Sequence, residues 1–124
     1  MAGSTEDTLA TVQRFGDAFN AHDVDAIMAL MTDDCVFEDT EPPPDGRRHV
    51  GQPAVRAAWT ALFGGTPDAT FEWEEITALE DRAVVRWRYS WAPDQPGAPG
   101  HVRGVDLLTV VDGKVSEKLS YVKG

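Results

Sequence analysis

Two aspartates stand where their side chains call for explanation. Asp106 lies in "VRGVDLLTVVDG", with Val105, Leu107 and Val111 on one alternating face and Leu108 and Val110 on the other. A strand apolar on both faces is buried on both sides, and aspartate is depleted in strands. A buried carboxylate either finds partners or stays protonated, and a protonated carboxyl can act as a proton donor near neutral pH. The alternative is a strand end from which Asp106 reaches a neighbouring amide or Arg103. Asp39 closes the apolar run Cys35-Val36-Phe37, just before three prolines. Strand alternation puts Glu38 and Asp39 on opposite faces, so only one of them can face a pocket. The local alternative for Asp39 is an Asx-type turn at a solvated strand end.

The other reactive types are sparse. His22, His49 and His101 sit in unrelated segments without metal-ligand spacing. His49 and His101 lie in or beside loops and could line a pocket mouth. The chain carries no glycine-rich phosphate loop, GxSxG elbow or Cys–His signature. Neither a metal nor a cofactor is therefore expected. Trp59, Trp73, Trp87, Tyr89 and Trp91 suit a core, or the lining of an apolar ligand cavity.

The elements that must position these residues fall in two halves. Leu9, Val12, Phe15 (or Gly16) and Phe19 recur at helical spacing behind a Ser4 or Thr5 cap. A second short helix follows Asp23, with Val24, Ile27, Met28 and Met31 on its buried stripe. A short strand spans 35–39, and the prolines force a loop after it. A third helix opens at Gln52-Pro53, buries Val55, Trp59, Leu62 and Phe63, and stops at Gly64-Gly65.

Strands are expected over 69–79, 83–92, 101–111 and 114–123, with Asp112-Gly113 as a hairpin turn. Val85, Trp87, Tyr89 and Trp91 alternate with Val84, Arg86, Arg88 and Ser90. A three-residue turn at Glu80-Asp81-Arg82 sets these aromatics beside Phe71 and Trp73, pairs Glu74 with Arg88 and aims Glu75 toward Trp87. A two-residue turn puts Trp73 opposite Arg88 instead, so the longer turn is preferred. Helices first and an antiparallel sheet after them make an α+β domain.

The 124 residues amount to one domain, 1–124, able to hold a core without metals or disulfides. The single cysteine, Cys35, rules out an internal disulfide and suits a reducing cytoplasm. The opening "MAGSTEDT" has neither the apolar run nor the charge pattern of a signal or transit peptide. No segment is apolar enough for a membrane span. A net charge of −10 argues against nucleic acid and anionic membranes as partners. A soluble cytoplasmic protein is expected.

"FGDAFNAHDVDAIMALMTDDCVFED", "GQPAVRAAWTALF" and "VDLLTVVDGKVSEKLSYV" follow one another in an order and spacing that resemble the SnoaL-like, ketosteroid isomerase-like branch of the NTF2-like superfamily. The resemblance covers nearly the whole chain. It implies a cone of three N-terminal helices on a strongly curved, mostly antiparallel sheet enclosing a pocket. It also implies a homodimer through the outer sheet face, with Arg86, Arg88 and Val105 on that side. Asp39 matches the proton-shuttling base of ketosteroid isomerases, and Asp106 matches the protonated acid of their oxyanion hole. Phe15 stands where those enzymes have a tyrosine and cannot donate a hydrogen bond. Trp59, where a supporting tyrosine is common, could donate instead. The epoxide-hydrolase pattern of the superfamily fails: its Arg-x-Asp motif meets Arg86-Trp87-Arg88, and its last-strand acid meets Ser120.

The reading that follows is a cofactor-independent SnoaL-like enzyme acting on a hydrophobic carbonyl compound, by isomerisation or polyketide cyclase-like aldol cyclisation. Asp39 and Asp106 are its expected catalytic residues. Phe15, Trp59, Phe63, Val85, Trp87, Tyr89, Trp91, Lys118, Ser120 and His49 are expected at the substrate. One rival is a non-catalytic small-molecule binding domain of the same fold. Another is a structural dimer whose cone is filled by its own tryptophans.

Overall fold

The structure, a computed structural model, describes residues 4–91 and 100–123. Helix α1 (Thr5–Asn20) begins where the Ser4 hydroxyl accepts the Asp7 N–H at 3.1 Å, and Glu6 and Asp7 complement the dipole of its first turn. Its buried face is Thr8, Thr11, Val12, Phe15, Gly16 and Phe19, while Leu9 is only half-buried. Thr8 is accommodated there because its hydroxyl donates to the Glu80 carbonyl. Helix α2 (Val24–Ala29) is capped by Asp23, which accepts the Ala26 N–H.

Met31, expected on the α2 stripe, instead opens strand β1 (Met31–Glu38). That strand starts earlier than expected and ends one residue before Asp39. Strand β2 (Arg48–Val50), expected as loop, pairs antiparallel with β1 and sets His49 opposite Phe37. Helix α3 (Gln52–Gly65) carries Pro53 in its first turn, where no intrahelical N–H is needed. The Gln52 amide donates to the carbonyls of Met28, Met31 and Thr32, tying α3 to the α2–β1 junction. Val55, Trp59 and Phe63 are buried, whereas Leu62 is half-buried.

Strands β3 (Thr70–Leu79), β4 (Arg82–Ser90), β5 (His101–Val111) and β6 (Lys114–Val122) complete a sheet in the order β2-β1-β6-β5-β4-β3. All pairs are antiparallel except the parallel β1–β6 pair. The third expected strand ends at Ser90, and its last expected residue, 92, lies outside the described residues. The curved mixed sheet and the three helices on it form the α+β cone that the resemblance implies.

One extra residue in each of two strands sets which side chains face inward. The β3–β4 turn is the two-residue one, with Leu79 opposite Arg82 and Glu80 at φ 55°. The expected three-residue turn is therefore incorrect. Glu75 pairs with Arg86 rather than approaching Trp87, and Glu72, not Glu74, faces Arg88. The aromatic pairing that favoured the longer turn is recovered by a bulge at Glu74, which brings Trp73 opposite Trp87. Likewise, the β5–β6 turn has positive φ at both Asp112 and Gly113, as a type I′ hairpin requires. Beyond Val110↔Val115 the register shifts, so Thr109 faces Glu117, and Ser116 is the extra residue. That shift puts Lys118 and Ser120 on the same face as Leu108 and Asp106.

The core between helices and sheet is dense in rings. Phe15, Phe19, Phe37 and Trp59 are buried and meet at centroid distances of 5.2–6.0 Å, mostly tilted or edge-on. Gly16 lets α1 lie close on β3, since a Cβ there would stand 3.0 Å from the Trp73 ring. Cys35 is fully buried; burial pushes its thiol pKa up, and the Asp34 and Asp33 carboxylates add to this. Among the described residues, no helix is long and apolar enough to cross a membrane.

Candidate functional site

Asp106 sits on the inner face of β5 and is 3% exposed. Its Oδ1 accepts the indole N–H of Trp87 at 2.9 Å, and its Oδ2 lies 3.2 Å from the Lys118 ammonium. Trp87 reaches it because its partner on β5 is Gly104, across whose backbone the indole lies. Arg103, the partner considered for Asp106, instead pairs with Glu74. The burial of Asp106 is thus met by partners: one oxygen accepts the indole N–H and the other is paired with the ammonium, an environment suited to a carboxylate.

Lys118 is itself 5% exposed. Its ammonium also donates to the Ser120 hydroxyl at 3.0 Å and sits 4.8 Å from the Phe37 ring centroid and 5.3 Å from that of Phe19. One carboxylate, one hydroxyl and two ring faces therefore replace the water a buried ammonium has lost. The result is a bonded row from Trp87 through Asp106 and Lys118 to Ser120.

Asp39 is at the other end of this row. It follows the Glu38↔Leu119 pair by one residue and so stands level with Ser120, which faces Asp106 on the next strand. Its Oδ1 accepts the Thr40 N–H at 2.7 Å, the local turn contact, while Oδ2 lies 4.0 Å from His49 Nε2. The His49 ring is stacked on Phe37 at 5.6 Å. The Asp39 side chain is 38% exposed and opens on two clefts. One, of about 420 Å³, is lined by Glu38, Asp39, Asp45, Ser120, Tyr121 and Val122, among others. The other, of about 460 Å³, lies between Asp39, Arg47 and His49 and the alanines Ala54, Ala57, Ala58 and Ala61 of α3.

The expected site residues fall into three groups. Asp39, His49, Ser120, Lys118, Asp106 and Trp87 are brought into one neighbourhood by β1, β2, β4, β5 and β6. Phe15, Trp59 and Val85 have no exposed surface and Phe63 only 8%, so they are core in this structure. Tyr89 and Trp91 line a separate cleft of about 470 Å³ with Gly65 at the end of α3 and residues 66–69 after it, where the Tyr89 hydroxyl bonds to Thr66. Trp59 Nε1 is buried without a hydrogen-bond partner among the described residues. The Trp87–Asp106–Lys118 bonding escaped sequence reasoning, because the Lys118 contact depends on the Ser116 bulge and the Trp87 contact on its place across from Gly104. No group of three or more His, Cys, Asp or Glu among the described residues is placed to hold a metal.

A family model described as a SnoaL-like domain matches residues 12–118. Among solved structures, an NTF2-like protein of unknown function from Mesorhizobium loti is 41% identical, with a TM-score of 0.82 over 97% of this chain and 93% of that one. A candidate polyketide cyclase from Sinorhizobium meliloti is 28% identical, with a TM-score of 0.75 over 90% of this chain and 94% of that one. A candidate SnoaL-like polyketide cyclase from Jannaschia is 26% identical, with a TM-score of 0.79 over 96% of this chain and 87% of that one. Comparison with curated proteins finds no match. With the family model spanning most of the chain and the cone in place, the protein belongs to the SnoaL-like branch of the NTF2-like superfamily.

Proposed function

We propose that the protein is an enzyme of carboxylate acid–base chemistry on a small, hydrophobic carbonyl compound, working without a cofactor. Asp39 takes a proton from the carbon alpha to the carbonyl, and the C–H electron pair moves onto the carbonyl oxygen as an enolate. Returning the proton at another carbon completes an isomerisation. Attack of the enolate carbon on a second carbonyl of the same molecule forms the ring C–C bond, and transfer of the proton from Asp39 to the resulting alkoxide completes an aldol cyclisation. The observation that carries this reading is that Asp39 opens on two clefts while the second aspartate, Asp106, is sealed behind it in an ion pair. Asp106 therefore acts through Lys118 rather than by giving up a proton. Relatives described as candidate polyketide cyclases support the same class. The reading includes a homodimer through the outer sheet face, where Val84 and Tyr121 are exposed.

The test is proton exchange at the alpha carbon of α-tetralone, a neutral flat ketone, followed by NMR in deuterated buffer. The native protein is expected to accelerate exchange, and Asp39→Asn to lose about 10²–10⁴-fold, the usual contribution of a positioned base. Acceleration that survives unchanged in Asp39→Asn contradicts the assignment of the base. Binding of the ketone with no exchange by the native protein favours the non-catalytic binding domain.

A further inference from the structure

We propose that Ser120 is the hydrogen-bond donor to the ligand's carbonyl oxygen, and that the ligand is a neutral ketone rather than a carboxylate-bearing one. The inference rests on the proposed function and assigns the electrophilic half of the same site. The donors expected for that half do not reach a cleft. Phe15 carries none, Trp59 is fully buried, and Asp106 is buried with one oxygen accepting from Trp87 and the other paired with Lys118. Ser120 does reach one, and it shares that cleft with Asp39.

The bonding of Ser120 fits the role. Its oxygen accepts from the Lys118 ammonium at 3.0 Å, and its own hydroxyl proton has no acceptor among the described residues. A hydroxyl that accepts a charge-assisted bond becomes a stronger donor along its own O–H. Lys118 cannot turn away, because Asp106 holds it at 3.2 Å and the Phe37 and Phe19 rings cover it. Trp87 in turn holds Asp106. The row thus delivers a fixed positive charge one bond behind the Ser120 hydroxyl, where an enolate oxygen would gather negative charge. During the step, the Cα–H bond breaks, its proton goes to Asp39, and its electrons move to the oxygen facing Ser120. Lys118 and Ser120 keep their own protons.

The same cleft selects against anions. Glu38, Asp39 and Asp45 line it, and among the described residues Glu38 alone of these has an arginine partner, Arg48 at 3.3 Å. A carboxylate on the ligand would meet like charge there, whereas a neutral ketone becomes negative only at the oxygen that Ser120 holds.

The α-tetralone exchange assay tests this. Ser120→Ala is expected to lose on the order of a hundredfold, mostly in kcat, as for loss of one oxyanion donor. Ser120→Thr, which keeps the hydroxyl, is expected to retain most of the rate. Lys118 is a positioning residue, and its removal alone strands a buried carboxylate, so the variant used is Lys118→Met/Asp106→Leu. It should keep the native circular dichroism spectrum and lose rate in kcat rather than in KM. A tetralone bearing a ring carboxylate should be exchanged with lower kcat/KM than α-tetralone, the gap narrowing in salt. Exchange by Ser120→Ala at the native rate, with Asp39→Asn slow, overturns the inference and leaves the proposed base standing. Native rates in both variants overturn the proposed function as well. A folded double variant with native kcat removes Lys118 from the mechanism, and preference for the charged ketone overturns the ligand class.

Discussion

Lys118→Met is expected to cost far more stability than removing an ion pair usually does. The two charges are 3.2 Å apart, with the lysine side chain 6% and the aspartate side chain 4% exposed. At that separation the attraction is roughly 1 kcal/mol in water but about 5 kcal/mol at an effective dielectric of 20. The larger figure does not measure the worth of the pair, since both ions lost their hydration on burial. It does show how poorly Asp106 is left when Lys118 goes, with only the Trp87 N–H beside it. A buried pair broken on one side typically costs about 3–5 kcal/mol, against about 0–1 kcal/mol for an exposed pair. For a domain of this size the loss corresponds to a fall in Tm of roughly 10–20 °C. The assay is urea unfolding followed by tryptophan fluorescence, with Asp106→Leu and the double variant closing a thermodynamic cycle. Lys118→Met/Asp106→Leu, which strands no charge, is expected to recover most of the loss. A single variant that loses less than about 1 kcal/mol, or a double variant as unstable as the single, would refute the desolvated pair.

Two further outcomes are expected. Gly104→Ala should destabilise the fold and lower exchange activity together, because its Cβ would meet the Tyr121 carbonyl and press the Trp87 indole, 2.7 Å from Cη2, off Asp106. Tryptophan fluorescence and the exchange assay on the purified variant check this. Sedimentation velocity should find twice the mass of one chain, and Tyr121→Asp on the outer face should shift it to one; a native monomer contradicts the homodimer.

The fold was legible in the sequence where one residue type forces one geometry. Ser4 and Asp23 cap their helices, Pro53 opens α3, and Asp112-Gly113 makes the last hairpin, all from local chemistry. Residues that depend on a distant partner were harder to place. Arg48–Val50 is too short to show alternation and becomes a strand only because β1 offers an edge. Met31 fits a helical stripe and a strand start equally well, and its pairing with Val115 decides the matter.

The candidate site divides the same way. Asp39 and Asp106 stood out by type and context alone. Lys118 and Ser120 meet Asp106 through the shift at Ser116, and Asp39 comes level with Ser120 after a shift between Met31 and Val36, features that no single residue announces. Were Ser116 paired rather than bulged, the unbroken register of the two-residue turn would set Leu119 opposite Asp106 and send Lys118 and Ser120 to the outer face. Were Glu74 paired rather than bulged, Trp73 would oppose Arg88. A one-residue bulge is thus enough to decide whether Asp106 meets a lysine or a leucine.

The most direct measurement is a crystal structure of the Asp39→Asn protein with α-tetralone bound. The account predicts the ketone in the cleft that Asp39 and Ser120 share, its oxygen within hydrogen-bonding distance of Ser120 Oγ and its alpha carbon against the residue 39 side chain. A ketone seated only beside Tyr89 and Trp91, away from both, would contradict it.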